Sequence, residues 1–236
     1  MRAWQVDLLE IASHKSESQH DLFLQVQEFA SLLGFEYVAY GYQAPWPFNR
    51  QNITLVNNYP VSWQHRYFQA GYLEVDPTIA LGRNSQTPII WSDKLFAPAQ
   101  SLWNEAREHG LRVGWAQSIL CGSEAKGMLT LARSRTILGP EEILAKQLQL
   151  KWLAQVTHTA FAQIFYSRYT EDLPSLSNRE LEVLKWSADG KSAQDIADIL
   201  HVSKNTIDFH IKNVISKLQV PNKTAAVVRA AVLGML

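Results

Sequence analysis

The sequence predicts an α+β protein in two parts. The N-terminal part reads as an α-β-α sandwich on an antiparallel sheet, and the C-terminal part as an all-α four-helix helix-turn-helix domain. Three observations predict this. Seven of the eight Trp and all eight Tyr precede residue 174, so the large rings are concentrated in the first part. Charge divides at the same place: residues 1–174 carry 14 basic and 16 acidic groups, and residues 175–236 carry 8 and 6. Between them "SRYTEDLPS" (Ser167–Ser175) is polar with a proline, the composition of a linker. The expected bounds are a first domain at 1–166, a linker at 167–174 and a second domain at 175–236.

In the first part, a helix fits 21–33. "FEYVAYGY" (Phe35–Tyr42) and "NITLVN" (Asn52–Asn57) read as strands, a helix fits about 61–71, and "TPIIWS" reads as another strand. After a helix at about 98–109, "RVGWAQSIL" and "KGMLTLAR" form a hairpin joined by "CGSEA". A long helix then runs from Pro140 to about Phe165. Its Pro suits the first helical position, and Glu141 and Glu142 suit the positive end of the helix dipole. Its Leu144, Leu148, Trp152, Val156 and Phe161 are more apolar than core packing of a single copy requires.

The C-terminal punctuation is sharper. Ser177 with Glu180 makes a capping box, and Gly190 closes the helix that follows. Ser192 with Asp195 starts a second, short helix. Ser203 caps a third, whose Ile207, Ile211, Val214, Ile215 and Leu218 form a core-facing stripe. A fourth follows Asn222. The brief turn "HVS" between the second and third helices marks the helix-turn-helix. Residues 203–223 carry Lys204, Lys212, Lys217 and Lys223 against Asp208 alone. Such lysines suit phosphates, and Asn205, Asp208 and Lys212 suit base edges. The same side could also be plain solvated surface.

The whole-chain balance of 22 basic and 22 acidic residues argues only weakly against nucleic acid, because a basic face can hide in a neutral total. The single Cys121 excludes an intrachain disulfide and reads as a small buried hydrophobe. With no signal-peptide pattern and no long apolar run, the expected location is cytoplasmic, away from membrane. Signatures of metalloproteases, serine hydrolases and nucleotide-binding loops are absent, and the seven His are scattered without ligand spacing. No catalytic residue, metal or cofactor is expected.

The stretch "NYPVSWQHRYFQAGYLEVDPTI" gathers aromatic rings ahead of Asp76 and Pro77. An indole N–H only donates, a phenol does both, and a carboxylate accepts. Together they suit a ligand with carbonyl oxygens and an amide N–H. They equally suit an aromatic core in which Asp76 caps the helix after Pro77. From these residues alone both readings stand.

Resemblance adds to this. The last 62 residues, on "LSNRELEVLKW", "ADGKSAQDIADIL", "VSKNTIDFHIKNVISKL", "NKTAAV" and "GML", resemble the DNA-binding domain of LuxR-type transcription regulators. They depart from its usual residues at Asp195, Ile207 and Asp208. The implied DNA-contacting set is Ser203, Lys204, Asn205, Thr206, Asp208, Lys212, Asn213, Lys217 and Lys223. "NYPVSWQHRYFQAGYLEVDPTI", "IIWSDKLF", "LWNEAREHGLRVGWAQS" and "GMLTLAR" resemble the autoinducer-binding domain of LuxR-type quorum-sensing receptors. That implies an N-acyl-homoserine lactone as ligand. By motif position Trp63 would donate to the lactone carbonyl, Asp76 would accept from the amide, and Tyr59 and Thr130 would hold the acyl carbonyl. Tyr67, Trp91, Trp103 and Leu111 would wall the ring and chain, with Thr78 an accessory polar group near the amide or any 3-substituent. Gly114 would permit close approach of sheet and ligand, and Ala39, Gly41 and Tyr42 would line the acyl tunnel. Trp103 and Trp115 are candidates to shorten it.

The expected function is a ligand-responsive regulator that senses the lactone in quorum sensing and binds operator DNA as a homodimer. Its expected partners are the autoinducer, double-stranded operator DNA, a second copy and RNA polymerase. Two rivals remain: a lactone-directed enzyme using Asp76, and a solo regulator of the same type answering another small molecule or none.

Overall fold

The computed structural model describes residues 4–6, 8, 11, 18–47, 52–120, 126–170 and 175–236. By its contacts the chain divides into two units, Met1–Phe165 and Tyr166–Leu236. Cys121, the expected "CGSEA" turn and residues 171–174 of the expected linker lie outside the described residues.

The first unit is built on a five-stranded antiparallel sheet of order β2-β1-β5-β4-β3. Its strands are β1 (Tyr37–Gln43), β2 (Ile53–Asn57), β3 (Ile89–Ile90), β4 (Val113–Leu120) and β5 (Lys126–Arg133). Side chains alternate across a strand, and the two faces of this sheet differ in size of residue. One face carries Tyr40, Tyr42, Trp115, Leu129 and Leu131, all in the main core. Helices α1 (Gln19–Leu32) and α7 (Pro140–Thr170) supply its partners, among them Leu22, Phe29, Leu150 and Phe161. Ala39, Gly41, Gly114, Ala116, Thr130 and Ala132 are placed by alternation on the other face. Small side chains there leave room above the sheet. That face is roofed by α2 (Val61–Gln69), α3 (Tyr72–Val75), α4 (Pro77–Gly82), α5 (Asp93–Phe96), a 3₁₀ turn at Ala97–Ala99 and α6 (Gln100–Glu108).

Helix α1 starts two residues earlier than expected because the Ser18 hydroxyl accepts from Asp21 N at 3.1 Å. Strand β3 is shorter than "TPIIWS" suggests. Helix α7 continues through Thr170, over the first four residues of the stretch expected as a linker. Its apolar residues divide: Val156 and Phe161 are core, whereas Leu144, Leu148 and Trp152 are 68%, 60% and 52% exposed, one turn apart on one face. The start of α7 is tied to β5 by Arg133, which donates to Glu142 Oε2 at 2.7 Å, while Lys146 donates to Oε1 at 2.6 Å. Those donors, Arg133 first, hold the Glu142 carboxyl down at about 2.

The second unit holds α8 (Asn178–Ala188), α9 (Ala193–Leu200), α10 (Lys204–Lys217) and α11 (Lys223–Val232). Both expected capping boxes form, Ser177 with Glu180 and Ser192 with Asp195, and Ser203 and Asn222 cap α10 and α11. The core interlocks Val183 and Leu184 of α8 with Ile196 of α9, Ile207 and Val214 of α10, and Ala226 and Ala230 of α11. Gly190 follows α8 at φ 83°, and His201 ends α9 at φ 53°. No helix among the described residues is long and apolar enough to cross a membrane.

Candidate functional site

Between the small-residue face of the sheet and helices α2–α6 lies a cavity of about 160 Å³. One water needs only about 10–15 Å³ of such space, so a larger guest fits. Of the residues expected to bind a ligand, Ala39, Gly41, Tyr59, Trp63 and Tyr67 line it, as do Asp76, Thr78, Trp91, Leu111 and Thr130.

Asp76 is the polar centre. It caps α4: Oδ1 accepts from Thr78 N at 2.8 Å and from Thr78 Oγ1 at 2.6 Å. Oδ2 accepts from the Tyr67 hydroxyl at 3.0 Å. The capping role and the cavity-facing role therefore coexist in one side chain. A carboxylate has about four acceptor positions; Thr78 takes two, Tyr67 one, and the Ile79 backbone N–H also bonds this carboxylate. Burial raises the Asp76 pKa above the usual carboxylate range, against the Thr78 and Tyr67 hydrogen bonds that lower it. Burial likewise raises the Tyr59 and Tyr67 phenols, with Asp76 adding to the shift, so both are neutral donors at neutral pH.

Rings close the rest of this end. Trp63 meets Tyr67 edge-on at 5.8 Å and lies 5.2 Å from His109. Trp91 lies directly over Gly114, where a Cβ would collide with its ring. Its indole N–H is buried without a partner among the described residues.

Trp103 departs from expectation. It does not line the cavity: its ring stacks on Phe96 at 4.5 Å and meets Trp91 edge-on at 6.1 Å, and its N–H donates to Asp93 Oδ1 at 2.6 Å. It buttresses the wall from behind. Tyr42 touches the cavity, but its ring packs 4.8 Å from Phe165 on the other face of the sheet. Trp115 belongs to that opposite core, so neither it nor Trp103 shortens the cavity.

On α10, Lys204, Asn205 and Lys212 are exposed, and Asn213 is half-buried. Lys204 is ion-paired to Asp208 at 2.7 Å, so Asp208 offsets one of the positive charges near the helix start. Ser203 and Thr206 bond each other at the cap, 2.9 Å apart. Lys217 is engaged elsewhere: it donates to the buried Glu180 at 2.7 Å and to Ser175 O at 3.1 Å, which makes it structural. Lys223 reaches Lys191 O at 3.4 Å.

Two family models match the chain: the autoinducer binding domain over residues 18–161, and the bacterial regulatory proteins, luxR family, over 174–230. The transcriptional activator protein AnoR of Acinetobacter nosocomialis is 40% identical, with all of both chains covered. The HTH-type quorum-sensing regulator RhlR of Pseudomonas aeruginosa is 36% identical over 94% of each chain. The solved structure of Escherichia coli SdiA in complex with octanoyl-rac-glycerol superimposes with a TM-score of 0.83 at 32% identity, covering 97% of this chain and 93% of that one. The chain belongs to the LuxR family. It is a ligand-responsive, DNA-binding transcription regulator of the quorum-sensing type.

In this LuxR-family cavity several contributors escaped the sequence. Arg66 and Glu105 form a two-pronged ion pair, at 2.6 and 2.8 Å, between α2 and α6. Asp93 anchors Trp103, and Gly82 packs against Ser118 and Met128. None carries a local signal, since each matters only through a partner distant in sequence. Phe209 is different: it is 59% exposed on the same side of α10 as Asn205 and Lys212, and 100° periodicity places it there.

Proposed function

We propose that this LuxR-family regulator binds an N-acyl-homoserine lactone in the cavity of its first unit and binds operator DNA as a cytoplasmic homodimer. The observation that carries the ligand assignment is the buried Asp76 carboxylate in the cavity wall, set among the neutral donors Tyr59 and Tyr67 and beside Trp63 and Thr130. The lactone presents the matching groups, an amide N–H between two carbonyls. Asp76 accepts from the amide, Trp63 donates to the lactone carbonyl, and Tyr59 and Thr130 hold the acyl carbonyl. Thr78 acts through Asp76, whose Oδ1 it occupies. Tyr67, Trp91 and Leu111 wall the head group, with Trp103 supporting Trp91.

Binding without turnover follows from the same chemistry. The partners of Asp76 are two backbone N–H groups, a threonine and a phenol raised by burial, poor relays for a proton at neutral pH. The exposed Leu144, Leu148 and Trp152 stripe supports pairing of two copies through α7, which suits a two-fold operator. RNA polymerase is the further partner of the DNA-bound form.

A second reading rests on SdiA, which was solved with octanoyl-rac-glycerol. A monoacylglycerol also carries an acyl carbonyl and a chain, but it offers hydroxyls to Asp76 in place of an amide. The deciding experiment is mass spectrometry of ligand extracted from the full chain produced with equal mixtures of lactones and monoacylglycerols. Lactone in the extract is the expected result. Recovery of the glycerides alone, or of neither with operator binding intact, would refute the assignment.

A further inference from the structure

We infer that the cavity selects a long acyl chain, of about ten to twelve carbons, and that Gly41 is the residue that admits it. This rests on the lactone reading for the position of the head group, and the rest comes from strand register.

The sheet floor is ruled into cross-strand rows. Asn57, Ala39, Thr130 and Ala116 form one row; Leu55, Gly41, Met128 and Ser118 form the next; Ile53, Gln43, Lys126 and Leu120 form the third. The head-group residues lie at or beyond the first row. Tyr59 follows Asn57 by two residues and meets Tyr37 at 6.1 Å, and Trp91 covers Gly114. Residues of all three rows line the cavity, which therefore continues along the strands to Ile53, Gln43, Lys126 and Leu120.

The middle row is the constriction. Gly82, at the end of α4, sits so close to Ser118 and Met128 that a Cβ there would collide with Ser118 Oγ. At the other side of the row, a Cβ built on Gly41 meets nothing within 4 Å. The passage consequently runs over Gly41, beside Leu55. Helix α4 starts at the Asp76 cap and ends at this constriction, six residues or about 9 Å further on. A chain whose amide is held at Asp76 is thus guided along α4 to Gly41.

Length follows from the register. Thr130 to Lys126 is four residues, about 13 Å of strand. An extended carbon chain advances about 1.25 Å per bond, given bonds near 1.5 Å and near-tetrahedral angles. The floor beyond the acyl carbonyl therefore holds about ten bonds before Lys126 and Gln43 bring the chain to polar surroundings.

The test is a thermal-shift and fluorescence-quench titration of the full chain with saturated acyl-homoserine lactones of 4 to 14 carbons. Matched 1-monoacylglycerols run in parallel. Each methylene up to the third row is expected to tighten binding about fourfold, with a plateau or reversal past about twelve carbons. Gly41→Val is expected to lose the long chains and keep the short ones, with Gly41→Ala intermediate. Wild-type preference for four to six carbons, or a uniform loss across lengths in Gly41→Val, would overturn the inference. If only the glycerides bind but show the same length profile and the same Gly41 effect, the lactone reading fails and the passage stands. No binding by either series would overturn both.

Discussion

The Tyr67 hydroxyl donates to Asp76 Oδ2 at 3.0 Å, and both side chains line the cavity. The same carboxylate caps α4 through Oδ1. Asp76→Asn separates the two roles, because Asn caps helices as well as Asp but loses the charge. Burial disfavours the ionised Asp76, so the ligand-free variant is expected to melt at or above the wild-type temperature. Its lactone affinity is expected to fall about 10- to 100-fold, the worth of a charge-assisted hydrogen bond. Melting curves with and without lactone check both, and an undiminished ligand-induced shift would remove Asp76 from recognition.

Gly41 on β1 and Gly114 on β4 lie on the same face of the sheet, either side of β5, yet should respond oppositely to alanine. At Gly114 the added methyl collides with the Trp91 ring, and at Gly41 it enters open space. Gly114→Ala is expected to cost about 1–3 kcal/mol by overpacking and to displace a cavity wall. Gly41→Ala should leave ligand-free stability unchanged or slightly raised, since Gly weakens a strand. Urea midpoints of the two variants make the comparison.

His158 supplies the pH dependence. It is buried, 2.8 Å from the Tyr40 hydroxyl, and burial lowers its pKa to about 4. Between its ordinary value near 6.5 and 4, the unfolded chain binds a proton that the folded one refuses. Stability should therefore fall as pH drops through that window, by about 3 kcal/mol at its foot. His158→Asn should flatten the profile there. Glu142 acts lower: its depressed carboxyl contributes stability above about 4.5 that is lost as pH falls toward 2. Urea unfolding at stepped pH resolves the two windows, and a wild-type profile flat from 6.5 to 4 would contradict the His158 assignment.

Much of this was legible in the sequence because the signals were local. Ser177, Ser192, Ser203 and Asn222 announced four helices that form as read, since a cap acts on its own first turn. The aromatic motif around Asp76 was legible for the same reason. What escaped depends on pairing across distance. Trp103 reads as a wall residue until Phe96 and Asp93 draw it behind Trp91. The significance of Gly41 needs the register with Leu55 and Met128, and that of Gly82 needs Ser118 beneath it. Chain length was invisible for that reason, as a cavity is a property of facing elements.

Lys212 and Lys217, five residues apart on α10, should separate DNA contact from fold. Lys212 is exposed on the side shared with Asn205 and Phe209, whereas the Lys217 ammonium is bound to Glu180, a carboxylate only 4% exposed. A lysine that meets phosphate releases counterions, so Lys212→Ala should weaken binding across sequences and reduce the magnitude of the log–log salt slope by about one. Lys217→Ala should instead leave that slope unchanged while lowering stability by about 2 kcal/mol, because it strands the buried Glu180. The measurement is fluorescence anisotropy of ligand-loaded full-length protein on a duplex selected from a randomised pool, at 50 to 200 mM salt, alongside urea unfolding. Equal slope losses in both variants would show that Lys217 leaves Glu180 to reach DNA, and an unchanged slope in Lys212→Ala would place the phosphate contact elsewhere.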